Sequence, residues 1–168
     1  MAELYFEDFK VGQVLGSARS VRVEKDEIIA FAKKYDPQFF HLDEEAARNS
    51  IFGGLVSSGW LTAALTMRLL TEREAKPAGG SIGLGFEGLR WPIPVRPGDE
   101  LRAESEILDV RPSRSRTDRG VVKMRTRTFN QRGEVVQEIV NIALVPRRPS
   151  AESGKEAAAR STSQHQGV

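Results

Sequence analysis

The feature that most constrains this chain is the stretch from Leu55 to Glu72. It carries Leu55, Val56, Trp60, Leu61, Ala63, Ala64, Leu65, Met67, Leu69 and Leu70, and no face turns polar until Arg68. A helix that is apolar nearly all round is buried. At about 1.5 Å per residue the predicted helix runs roughly 27 Å, the width of a small domain. The rest of the chain must wrap around it. Ser57, Ser58, Thr62, Thr66 and Arg68 interrupt the run, so it is not a bilayer span.

The residues after that helix alternate. Ile82, Leu84 and Phe86 alternate with Gly83, Gly85 and Glu87; Leu101, Ala103, Ser105 and Ile107 alternate with Arg102, Glu104 and Glu106. Val122, Met124, Thr126 and Thr128 alternate with Lys123, Arg125 and Arg127, and Glu134 to Val145 reads as a last strand after the Asn130–Gly133 turn. Period two predicts antiparallel strands with one buried and one wet face. Before the helix lie short strands around Gly12, Gly16, Val21 and Val23. A helix follows, capped by Asp26 and ended by Pro37, then a short helix from Glu44 to Arg48 capped by Asp43. The prediction is an α+β domain over 1–146, a curved antiparallel sheet around one long helix. A sheet behind one helix leaves open edges, which a second copy covers; a homodimer or higher homo-oligomer is expected. Residues 147–168 carry one large apolar residue, Val168, and read as a disordered tail.

Composition narrows the function. The 168 residues fit one domain and contain no cysteine, which removes disulfides, thiolate metal sites and cysteine nucleophiles together. The net charge is +2, with the signs mixed along the chain, and the one Arg-dense stretch, Arg111 to Arg119, has no aromatic residue. Nucleic-acid binding is not expected. The N-terminus has acidic residues where a signal peptide would be basic and apolar, so a cytoplasmic protein is expected.

Chemistry concentrates just before the long helix. His41, the one histidine of the folded part, follows Asp36 by five residues in a loop stiffened by Pro37 and flanked by Phe39 and Phe40. A carboxylate and an imidazole held together form a candidate acid/base pair. By spacing alone they more often read as a turn residue and a packed histidine. Gly53 and Gly54 precede Ser57, Ser58 and Gly59 at the expected helix start, where free N–H groups favour negative charge. The same glycines also suit a plain turn. In the Arg111–Arg119 loop, Arg114 and Arg116 are candidates for gripping phosphate, against the reading of a solvated surface loop. One histidine and scattered carboxylates give no metal site.

The segment FAKKYDPQFFHLDEEAARNSIFGGLVSSGW resembles the hydratase motif of MaoC-like dehydratases and (R)-specific enoyl-CoA hydratases. That motif has a Gly-Asp pair, Asn-Pro, a His five residues after the Asp, and a small residue further on. Asp36, His41 and Ala46-Ala47 fall at those places, and YFEDFKVGQ, WPIPVRPGD and RPSRSRTDRG are similar to the same family. The resemblance implies a hot-dog fold that works as a dimer and interconverts (2E)-enoyl-CoA and (3R)-hydroxyacyl-CoA. It implies no metal or redox cofactor; CoA arrives as part of the substrate. It places Asp36 as base on a water, His41 as its partner and source of the α-proton, the Gly54 N–H on the thioester oxygen, and Ser58 or Ser57 lining the site. The motif's Gly is Tyr35 here, its Asn is Gln38 and its Pro is Phe39. Gln38 thus stands where the family orients its pair, and Phe39 with Phe40 would narrow the acyl pocket. The rival readings are a non-catalytic acyl-thioester-binding subunit, a plain structural dimer, and a hot-dog thioesterase. The last expects a carboxylate on the long helix, which has none before Glu72.

Overall fold

The structure is a computed structural model that describes residues 2–149. The expected tail from 150 onward lies outside the described residues. Strands β2 (Val14–Gly16), β3 (Val21–Arg22), β5 (Ile82–Arg90), β6 (Glu100–Pro112), β7 (Arg119–Phe129) and β8 (Val135–Pro146) form an antiparallel sheet in the order β2-β6-β7-β8-β5, with β3 also paired to β6. Two short strands, β1 (Ala2–Leu4) and β4 (Ala75–Pro77), pair in parallel beside it. Helices α1 (Lys25–Tyr35), α2 (Phe39–Leu42), α3 (Glu44–Ala47) and α4 (Gly59–Thr71) follow in that order.

The long helix packs on the inner face of the sheet through Leu61, Leu65 and Leu69, spaced four apart and each at most 3 % exposed. They meet Leu55, Val95, Leu101, Ala103 and Val136, and Val23 and Ile28 close the same core. At the far end of the sheet Phe6 and Phe9 cover Ile107, Val122, Met124 and Val145. There Gly120 must be glycine, because a Cβ would sit 1.9 Å from the Phe6 ring.

Between helix and sheet the buried face is partly polar. Thr66 Oγ1 lies 2.7 Å from Thr128 Oγ1, Gln137 donates to Thr66, and the Trp91 indole donates to Gln137 Oε1 at 2.8 Å. Ser105 and Thr126 pair at 2.7 Å, and Arg73 donates to Ser105. The alternation of β6 and β7 holds, and hydrogen bonding is what lets hydroxyls occupy the inward positions.

Four expectations change. Glu24, not Asp26, occupies the cap position of α1, and Asp26 lies in its first turn. His41 sits on a helical turn, α2, rather than in a loop. Helix α4 begins at Gly59, capped by Ser58, so residues 55–58 are a non-helical lead-in; at about 1.5 Å per residue the helix is roughly 20 Å long. It is also less enclosed than its composition predicts, since Trp60 and Met67 are over half exposed. Strand β5 has no wet-and-dry alternation: Ile82, Leu84 and Phe86 are all exposed, and its outer edge is unpaired among the described residues. No helix of the described residues is long and apolar enough to cross a membrane.

Candidate active site

The site begins where α1 ends. Pro37 cannot follow a helical residue, so the chain turns out at Asp36, whose N–H still bonds Ala32 O. Gln38 N–H returns to the Asp36 carbonyl at 2.7 Å, and the chain re-enters a single helical turn that carries His41 back over Asp36. Asp43 then caps α3 by accepting from the N–H groups of Glu45 and Ala46.

His41 Nε2 stands 3.4 Å from Asp36 Oδ2. Its other nitrogen, Nδ1, is 2.8 Å from the Val56 carbonyl, which can only accept. The proton on Nδ1 is thereby fixed, and Nε2 is the nitrogen left to exchange protons. The imidazole is 6 % exposed and stacks edge-on against Phe40, which packs edge-on against Phe52. Phe39, by contrast, is half exposed.

Asp36 is held at both oxygens. Ser58 Oγ donates to Oδ2 at 2.7 Å and Gln38 Nε2 to Oδ1 at 2.8 Å. Burial pushes its carboxyl pKa up, but the hydrogen bonds from Ser58 and Gln38 and the neighbouring His41 outweigh that and leave it below the usual value. The same Ser58 oxygen accepts the Trp60 N–H, so one side chain caps α4 and orients the carboxylate. Of the two serine candidates it is therefore Ser58 that reaches Asp36. Ser57 bonds the carbonyl of Ser58 through its hydroxyl, and its N–H bonds Val95 O.

Gly53 and Gly54 lie on the turn before the non-helical lead-in, not at the start of α4. Gly53 has a φ of +64, the left-handed region that suits glycine. The half-buried Gly54 N–H donates to no group among the described residues. The amide expected to bind negative charge is thus free, although it is not a helix-terminal one.

Arg114 and Arg116 are not brought to this site within the chain. They lie on the β6–β7 hairpin, about 36 Å along β6 from Leu101. Arg116 there pairs with Asp118. Arg147 and Arg148, past the last strand, pair with Glu7 and Asp8 at that same end. Among the described residues no three His, Cys, Asp or Glu side chains gather as metal ligands would. Glu72, the carboxylate that caps the end of α4, is bound by Arg19 and Arg68.

Two members of the site escape a reading of side chains. One is the Val56 carbonyl, a backbone group that no residue type signals. The other is Arg96, whose Nη2 donates to Phe52 O at 2.6 Å. The only sequence signal for it was its place in the WPIPVRPGD break.

Comparison with known proteins shows the family and the fold. The sequence matches the MaoC like domain family over residues 8–128. A MaoC-like dehydratase structure from Rhodospirillum rubrum is 55 % identical, with a TM-score of 0.81 over 88 % of this chain and 99 % of that one. The (R)-hydratase from A. caviae is 31 % identical, with a TM-score of 0.67 over 83 % of this chain and 99 % of that one. The 3-hydroxyacyl-thioester dehydratase Z of Mycobacterium tuberculosis is 32 % identical over 101 residues, 59 % of this chain and 67 % of that protein. The chain belongs to the MaoC-like domain family and has its hot-dog fold.

Proposed function

We propose that this protein is a hydro-lyase that interconverts (2E)-enoyl-CoA and (3R)-hydroxyacyl-CoA. The observation that carries the reading is the convergence of Asp36 Oδ2 and His41 Nε2, 3.4 Å apart, with every other polar contact of the two side chains already assigned. A water held between them loses a proton to Asp36 as its oxygen bonds to C3 of the enoyl group. The C2=C3 electron pair moves toward the thioester oxygen, where the free Gly54 N–H would receive the charge. His41, which for this step carries a proton on Nε2 as well as on Nδ1, delivers the Nε2 proton to C2, and the proton on Asp36 restores it. Dehydration is the same path reversed. Ser58 and Gln38 keep Asp36 ionised and aimed. The chemistry asks for no metal or redox group, and CoA enters with the substrate. The names of the related dehydratases and hydratases support this reading, and a cytoplasmic setting fits it.

The working unit is a homodimer. Trp60, Met67, Ile82, Leu84 and Phe86 form an exposed apolar set on α4 and on the unpaired edge strand, and a second copy laid along β5 covers them. Sedimentation equilibrium giving a mass of one 18.6 kDa chain at micromolar concentration would refute this.

The function is tested by the fall in absorbance of crotonyl-CoA on hydration. Wild type should turn over, and Asp36→Asn or His41→Ala should lose about 100-fold or more. If short, long and branched enoyl thioesters all fail while acyl-CoA still binds, the protein is a binding subunit and the hydratase reading is wrong.

A further inference from the structure

Beyond the catalytic pair, the Gly54 amide needs a fixed direction, and its own turn supplies little. Gly53 N–H bonds Ser50 O and Phe52 N–H bonds Ser50 Oγ, which hold the start of the turn. The next tie is Val56 N–H to Phe40 O. Between them lies Gly53, at positive φ with open space where a side chain would be, so nothing local resists rotation of the Gly53–Gly54 peptide.

Arg96 fills that gap from another part of the chain. Its Nη2 donates to the Phe52 carbonyl, and its Nη1 lies 3.4 Å from where a Gly54 Cβ would stand. The guanidinium therefore rests against the peptide that carries the free amide. Its base is fixed as well. The Arg96 N–H bonds the buried Asp99 at 2.8 Å, Asp99 is bonded by Gln131, and neighbouring Val95 O takes the Ser57 N–H. Among the described residues Arg96 has no carboxylate partner, unlike Arg19, Arg116, Arg147 and Arg148. Its charge next to the amide is not neutralised.

We infer that Arg96 is a positioning residue of the proposed site. It fixes the Phe52–Gly54 turn so that the Gly54 N–H meets the thioester oxygen, and it keeps a positive charge beside that oxygen as the enolate forms. This rests on the hydratase reading. Because the contribution is made to the transition state, it acts on kcat rather than on substrate binding.

The test uses wild type, Arg96→Met and Arg96→Lys on the best enoyl-CoA. Each is also titrated with butyryl-CoA, a saturated ground-state ligand, and followed by hydrogen exchange at Gly53, the bonded amide of the turn. Arg96→Met should lose about 100-fold in kcat, as removal of an oxyanion donor or a 1 Å misplacement does, with KM and butyryl-CoA affinity within about threefold. Arg96→Lys, which keeps the charge and one donor, should recover part of that loss. Exchange at Gly53, whose N–H bonds Ser50 O and shares a peptide with the Phe52 carbonyl, should accelerate about tenfold or more in Arg96→Met, the free-energy equivalent of one net hydrogen bond. A rise in KM and in butyryl-CoA Kd at unchanged kcat would overturn the proposal and make Arg96 a simple anchor for the anionic carrier. If wild type turns over no enoyl thioester, the hydratase reading falls. Unchanged Gly53 exchange in Arg96→Met would then refute the tether on its own.

Discussion

Arg73 gives a prediction whose sign runs against intuition. It follows α4 directly, is 6 % exposed, and sends Nη2 to Ser105 Oγ, while its Nε has no partner and no carboxylate reaches it among the described residues. Burial alone pushes its pKa well below the ordinary arginine value, down to about 10. That fall corresponds to about 3 kcal/mol by which the site disfavours the charged form. Arg73→Met keeps the apolar stem and removes the charge. It also removes one hydrogen bond, worth about 1 kcal/mol net, while Ser105 keeps its bond to Thr126. The variant should therefore be more stable at neutral pH, by about 1 to 2 kcal/mol, as when other buried charges are replaced by apolar residues. The pH dependence follows from the sign of the shift. From about pH 10 up to the ordinary arginine range the unfolded chain binds this proton better than the folded one, so the handicap of wild type is complete below pH 10 and shrinks above it. Urea unfolding of both proteins at matched concentration reads the difference, and the melting temperature should rise by about 2 to 8 °C. A loss of more than about 1 kcal/mol in Arg73→Met would refute the reasoning, since it would mean that Arg73 meets a counter-charge in the folded assembly.

Ser58→Ala should act twice. Removing the donor to Asp36 raises the pKa of that carboxyl and moves the acid limb of kcat/KM to higher pH, and losing the α4 cap lowers stability by about 1 kcal/mol. An unmoved limb in the pH profile would show that Ser58 does not tune Asp36. Gly120→Ala places a methyl group where the Phe6 ring lies and should cost about 1 to 3 kcal/mol in urea unfolding, and a change within 0.5 kcal/mol, roughly that of an ordinary surface substitution, would refute the packing of the N-terminal turn on β7.

What the sequence revealed depended on whether a pattern had one physical cause. In β6 and β7 every inward position is buried, so the period-two signal could be read directly from Leu101 to Ile107 and from Val122 to Thr128. In β5 the alternation came from glycines, and its apolar residues are left exposed among the described residues. The stretch 55–58 looked helical because apolar composition does not separate a buried lead-in from a buried helix. The Ser58 hydroxyl on the Trp60 N–H was the signal that marks the boundary. Asp36, His41, Gln38 and Ser58 were legible as side chains. The Val56 carbonyl, the free Gly54 amide and the Arg96 tether were not, because each depends on where the backbone goes. Arg114 and Arg116 were attractive as charges, and the length of β6 is what separates them from the site.

The departures from the family pattern become intelligible at the level of atoms. Tyr35 replaces a glycine, yet it sits at the exposed last turn of α1 and packs on Phe31, away from the carboxylate. Gln38 replaces an asparagine, and its longer side chain still reaches Asp36 Oδ1, while its carbonyl accepts the His41 N–H that starts α2. Pro37 lies between, and it forces the turn that lets Gln38 face back. One residue thus orients the carboxylate through its side chain and the imidazole through its backbone. The geometry of the pair rests on the path of the chain from Asp36 to His41 and on the Val56 carbonyl opposite, more than on the identity of residues 35, 38 and 39. A site held mainly by backbone bonds tolerates changes of side chain between its two proton-bearing groups.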